Sequence, residues 1–391
     1  MGIPRLRSYT GPAVLSYGFR PFFLLGSAYA GLSILFWLPA YFGLVETFSV
    51  FAPVDWHIHE MLFGYLTAIV AGFLLTAIPN WTGRLPVLGL PLLALVMLWA
   101  AGRFAVFFSE WIGWQAAAGI DVSFLAAAAA AAAREIISGR NWRNLKVLVP
   151  LTILLVANLC FHLEAHLSGT SDVSRRLGMS AAILLITIIG GRIIPSFTRN
   201  WLARENPGRL PAPFDRFDVT AIAVSAVALL AWCGFPENTA TAIALGSAAA
   251  LQGLRLARWA GDRTLKDPLV LILHLAYAFI PIGLALVSLS ILLPGTVPQA
   301  AGFHTLGGGA IGTMTLSVMV RATLGHTGRK LEAGYGALFI FAAILAAAMF
   351  RIAAVFASNS VLIDLAGAAW AIAFLGFAVV YGQALSRPKL A

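Results

Sequence analysis

Long apolar runs separated by short polar connections dominate the chain. A helix needs roughly 20 mostly apolar residues to cross a bilayer core. Twelve runs meet that need, at about 19–42, 58–78, 88–108, 112–133, 147–167, 177–197, 219–235, 239–259, 269–293, 303–322, 335–357 and 362–385. The fourth ends in unbroken alanine from Ala126 to Ala133, a pattern that also suits a buried soluble helix, and its neighbours decide for a span. The pattern predicts an all-α polytopic membrane protein of about twelve transmembrane helices, with residues 1–391 forming a single integral-membrane domain.

The basic residues test this layout independently. Twenty-one of the 26 Lys and Arg fall on one side, including Arg5, Arg7 and Arg20 at the first helix and Arg387 and Lys389 after the last. Arg175 and Arg176 fall on the other side, and Arg103, Arg192 and Arg351 lie inside helices. By the positive-inside rule, both termini and the even-to-odd loops are cytoplasmic. The net charge of +10 therefore follows from topology, and nucleic acid is not an expected partner. A composition 60% hydrophobic and 11% charged excludes an ordinary soluble domain. Cys160 and Cys233 lack metal-motif spacing and read as small core residues. Helix 1 has no cleavage-like end and is expected to stay as an anchor.

Helices 2, 6 and 10 close alike, at Ile78-Pro79-Asn80-Trp81-Thr82-Gly83-Arg84, at Ile194-Pro195-Ser196-Phe197-Thr198-Arg199 and at Thr323-Leu324-Gly325-His326-Thr327-Gly328-Arg329. Being four apart, they fit three four-helix units about a pseudo-threefold axis. Pro, Gly and Arg also end any helix at a cytoplasmic face, which is the blander account.

The layout gathers five of the seven histidines at the outer face: His57 and His59 before helix 2, His162 and His166 near the end of helix 5, and His304 opening helix 10. Imidazole is a common ligand of haem iron and copper, and ionisable groups at membrane depth point to a functional site. Residues two apart on a helix point about 200° apart, so His57 and His59 serve two sites, or one if the segment unwinds. His162 and His166, at i and i+4, share a face and suit one small ion, copper foremost. They cannot be both axial ligands of one haem. His304 precedes Gly307, Gly308, Gly309 and Gly312, a bare strip for a porphyrin or for close helix packing. Haem ligation by His304 with His57 or His59 is expected, leaving the other helix-2 histidine as third copper ligand.

Arg103 and Arg351 need carboxylate partners at their depth, either haem propionates or protein acids such as Asp121 and Asp364. His274 reads as a satisfied core residue and His326 as solvated. Asp121 is the one acid far from a predicted interface, too little for the relay of a proton pump.

The stretches Gly18-Phe19-Arg20-Pro21-Phe22-Phe23 and Trp56-His57-Ile58-His59-Glu60-Met61-Leu62-Phe63-Gly64 resemble the NnrS family of bacterial membrane proteins. So do Gly72-Phe73-Leu74-Leu75-Thr76-Ala77, continuing to Pro79-Asn80-Trp81-Thr82-Gly83-Arg84, and Gly190-Gly191-Arg192-Ile193-Ile194-Pro195-Ser196-Phe197-Thr198. The segment from His304 to Arg329 adds to the match, which spans nearly all of the chain. The resemblance implies haem b and copper, a bacterial inner membrane, and a role in denitrification or protection against nitric oxide. It leaves open whether nitric oxide is reduced, as by a nitric oxide reductase-like oxidoreductase with an unknown electron donor, or only bound. Haem-copper oxidases and nitric oxide reductases are a looser analogy, because their copper histidines lie on helices 6 and 7, where this chain has none. A transporter using protonatable histidines and a haem-handling assembly protein are the competing functions. Haem, if present, is non-covalent, since Cys-x-x-Cys-His is lacking.

Overall fold

A computed structural model describes residues 9–357 and 359–390. Arg5 and Arg7 lie outside the described residues. Twelve helical stretches follow in order, with short helical turns between some of them: α1 Phe19–Tyr41, α2 Pro53–Thr82, α3 Leu90–Phe107, α4 Trp114–Ser138, α5 Leu148–Ser168 and α6 Asp172–Glu205. Then come α7 Arg216–Gly234, α8 Thr239–Ala257, α9 Pro268–Leu292, α10 at 299–326, α11 Tyr335–Ala357 and α12 Ser360–Ser386. Eleven helices among the described residues are long and apolar enough to span a membrane. The tenth forms as an unbroken helical run, diluted by its glycines and threonines. The chain is a multi-pass membrane protein.

Local chemistry sets the ends. Pro53 opens α2, where its missing N–H costs nothing. Gly83 closes α2 in the left-handed region at φ 68°, as Gly328 does after α10 at φ 77°. Asp215 and Asp218 form a reciprocal capping box at α7. α6 runs past Pro195 to Glu205, so its ending is unlike those of α2 and α10.

Both α2 and α10 contain a π-helical segment, at Glu60–Tyr65 and Thr305–Gly312. Each begins immediately after a histidine, His59 in one and His304 in the other. A π turn holds one residue more than an α turn and recurs at functional sites. The kinship of α2 and α10 is thus deeper than their endings, and α6 shares neither the π segment nor the histidine.

The chain divides into two compact units. The first comprises residues 1–178, 322–330 and 374–391, the second 179–321 and 331–373. In the first, α1 lies on α2 through small residues: a Cβ on Gly18 would stand 2.5 Å from Leu75 Cβ, and one on Gly72 2.9 Å from Phe22 Cβ. Close backbone approach of this kind is how helices associate in lipid. Phe22, Leu75, Leu92, Val96, Trp99, Phe124 and Ala128 fill the core of α1 to α4. The outer faces carry Leu90, Met97 and Phe104, all well exposed, as expected for lipid contact.

In the second unit α8 packs between α7 and α9. Its Arg255, fully buried, donates to Asp218 at 2.7 Å, to the Thr187 carbonyl and to the Tyr277 hydroxyl. Gly191 makes room for that guanidinium, since a Cβ there would meet it at 2.2 Å. The glycines of α10 divide by use. Gly302, Gly309 and Gly312 pack on Val287, Phe279 and Trp370, whereas Gly308 faces open space.

Candidate metal centre

In the first unit five neighbouring helices each bring a polar side chain to the same end of the unit. α2 brings His59 and Glu60, α3 Arg103, α4 Asp121, and α5 Asn158 and His162, while Tyr29 of α1 reaches in from the side. Each of the first six sits four to ten residues inside its helix, roughly 6–15 Å of rise from that end. His59, Glu60, Arg103, Asp121, Asn158 and His162 are all buried. Such a concentration of ionisable groups at membrane depth persists only if its members satisfy one another.

They do so through a continuous network, apart from Arg103 Nε, which has no hydrogen-bond partner among the described residues. Glu60 Oε1 lies 3.0 Å from His59 Nδ1, and Glu60 Oε2 accepts from Arg103 at 2.5 Å and from the Tyr29 hydroxyl. Arg103 spans both acids, its second terminal nitrogen donating to Asp121 Oδ1. The other Asp121 oxygen, Oδ2, lies 3.2 Å from His59 Nε2 and 3.1 Å from His162 Nε2. Asn158 donates to that oxygen at 2.9 Å, and its own carbonyl lies 3.0 Å from His59 Nε2.

The ligand atoms of His59, Asp121 and His162 all lie within 4.8 Å of one another. Two imidazole nitrogens and a carboxylate oxygen at that separation can converge on one transition-metal ion. The surroundings suit this. Glu60 accepts the Nδ1–H of His59, which leaves Nε2 as the nitrogen turned towards the centre. That carboxylate–imidazole arrangement orients metal-binding histidines generally.

Two glycines make the geometry possible. A Cβ on Gly64 would stand 2.5 Å from Glu60 Oε2 and 2.6 Å from an Arg103 nitrogen. A Cβ on Gly102 would stand 3.1 Å from Asp121 Oδ1. Gly64 lies four residues after Glu60 on the same face of α2, within the π segment, and its carbonyl accepts from Trp99 at 2.8 Å.

The residues expected from sequence distribute unevenly. α2 begins at Pro53 rather than at 58, so His57 and His59 lie within the helix, not before it. They face different surroundings: His59 enters the network, while half-buried His57 stacks on Trp37 with ring centres 4.2 Å apart. The pair on α5 also separates. His162 joins the centre, whereas His166 is exposed and stacks on Trp114. The partner of His162 on its own helix is Asn158, one turn earlier, not His166 one turn later.

His304 belongs to the second unit, half-buried on α10, and Arg351 is half-buried on α11. Of the two sources of carboxylate considered for Arg103, the protein acids fill the role. His274 is a core histidine satisfied at one nitrogen: Nε2 lies 2.8 Å from the Thr198 hydroxyl, while buried Nδ1 has no hydrogen-bond partner among the described residues. His326 is exposed, with its ring 5.4 Å from that of Phe19. Sequence reasoning missed Tyr29 and Asn158. It noted Asp121 as the deepest acid without placing it at the centre. Its isolation at depth was the available signal, since a buried carboxylate must find cations.

The NnrS protein family model matches residues 13–389, nearly the whole chain, and the chain belongs to the NnrS family. No curated protein matches it. Family membership supports a membrane protein of the nitric oxide response.

Proposed function

We propose that this member of the NnrS family is a haem- and copper-binding protein of the bacterial inner membrane that binds, detoxifies or reduces nitric oxide at a periplasm-facing metal site. The observation that supports it most is the buried group of His59, Asp121 and His162, with ligand atoms within 4.8 Å of one another. Its donor set fits copper: imidazoles are good copper ligands, and the Glu60 contact turns His59 Nε2 inward. Copper held there would supply a one-electron redox centre able to take nitric oxide as a ligand.

Haem b is assigned to the second unit, at His304. Beside that imidazole, a Cβ on Gly307 would touch only Met179 at 3.5 Å, and one on Gly308 would touch nothing within 4 Å. This bare strip is the shape a flat macrocycle requires. Arg103 is engaged by Glu60 and Asp121, so its task is to hold the ligand carboxylate, not a haem propionate.

Nitric oxide is small and apolar and partitions into the bilayer, so a site within the helices needs no polar cleft. The chain's residues exclude bulk water, fix the carboxylate and hold the imidazole tautomer. The test is metal and haem content with optical response to nitric oxide. His59→Ala and His162→Ala should each lose most copper and His166→Ala should keep it. His304→Ala should lose haem and His326→Ala should not. Equal copper in the H162A and H166A proteins would refute the ligand set. Nitrous oxide released by reduced protein in proteoliposomes would establish turnover, stoichiometric binding without it a protective role. A spectrum unmoved by nitric oxide would refute the functional reading.

A further inference from the structure

We infer that the buried centre is built for a singly charged metal ion, Cu(I), and that Arg103 sets this selection. The inference rests on the metal reading of His59, Asp121 and His162 given above.

The fixed charges of the pocket can be counted. Glu60 and Asp121 are 1% and 0% exposed at their side chains, and Arg103 is 6% exposed. Among the described residues, Glu60, Asp121 and Arg103 are the charged side chains paired with one another and with the two imidazoles. Tyr29 and Asn158, which complete the network, are neutral hydrogen-bonding groups. With neutral imidazoles as ligands, two carboxylates against one permanently charged guanidinium leave one surplus negative charge. A net charge in a water-poor interior is strongly disfavoured, and the disfavour grows with its size. One monovalent ion brings the pocket to neutrality. A divalent ion leaves it positive by one and would need an extra anion.

Arg103 fixes that count and also the geometry. It occupies Asp121 Oδ1 and leaves Oδ2 towards the imidazoles. It is a positioning residue, since none of its atoms is a metal ligand. Glu60 acts similarly, holding His59 Nδ1 with one oxygen and Arg103 with the other. Removing either charge shifts the pocket in opposite directions, a signature that a merely structural pair lacks.

The experiment titrates metal-free full-length protein in nanodiscs. Cu(I) is supplied with ascorbate against a chromophoric Cu(I) chelator, and Zn²⁺ against a zinc indicator. Wild type should bind one Cu(I) at the centre and Zn²⁺ more weakly. Arg103→Gln, which makes the pocket more negative, should raise Zn²⁺ affinity relative to Cu(I) at least tenfold. Glu60→Gln, which keeps much of the hydrogen bonding and removes the surplus charge, should lower Cu(I) affinity at least tenfold and Zn²⁺ affinity further. If wild type binds Zn²⁺ as tightly as Cu(I), or if R103Q leaves the ratio unchanged, the charge selection is wrong while the metal centre stands. Loss of both metals from both variants would also count against it, because opposite charge changes must not act alike. Wild type binding neither metal would overturn the centre itself.

Discussion

The decisive residues of the centre are small as well as charged. Gly64 has Glu60 Oε2 and Arg103 where its Cβ would be, with no flexible apolar neighbour to yield. Gly64→Ala should therefore break the acid–guanidinium contact, strip most copper and destabilise the protein by about 1–3 kcal/mol, as overpacking does. Gly119 on α4, whose Cβ would meet nothing within 4 Å, is the control, and its alanine variant should keep both metal and melting temperature. Copper content and thermal unfolding in detergent measure both effects, and equal behaviour of the two variants would refute the packing argument. At this scale the sequence was half legible. His59 and His162 stood out because imidazole is rare in so apolar a chain, and Asp121 because a deep acid is expensive. Asn158 and Tyr29 carry no such cost and looked like any interfacial polar residue. The i and i+4 spacing of His162 and His166 showed a shared side, but α5 turns only part of that side inward. Trp114 instead receives His166 at the exposed end.

The apolar middle of each helix was the most legible level, because the length of an apolar run is set by the bilayer, but polar ends were not: α2 starts five residues before its expected limit and α6 runs eight beyond its own. α11 matches its expected limits, 335–357, and α9 differs by one residue at each end. The π segments were not legible. An inserted residue changes neither apolarity nor length noticeably, yet it rotates everything after it by about 100°. Deleting Met61, within Glu60–Tyr65, should let α2 close as a regular α-helix and turn His59 and Glu60 away from Gly64 and Arg103. The variant should still insert into the membrane, since the run stays apolar, but lose its copper. Helical content by circular dichroism and metal analysis check the two halves. Full copper retention would show that the π turn is incidental to the centre.

At the scale of the whole molecule, lipid-facing apolar side chains surround buried polar networks, the inverse of a soluble protein's economy of surface. Orientation follows from a different physics, the retention of Arg and Lys on the cytoplasmic side. Arg84, Arg140, Arg143, Lys146 and Arg209 follow even-numbered helices before the next odd one, and Arg134, Arg199 and Arg204 lie in the last two turns of α4 and α6. The metal centre lies near the opposite helix ends, so its periplasmic address stands or falls with this charge bias. A Cys-free background, C160A with C233A, allows a direct measurement because these are the chain's two cysteines. His166→Cys should react with a membrane-impermeant maleimide in intact spheroplasts, since His166 is exposed beside the centre's end of α5. Glu332→Cys, in the exposed connection between α10 and α11, should react only after permeabilisation. The reverse pattern would place the centre at the cytoplasmic face, and any protons used there would then come from the cell interior.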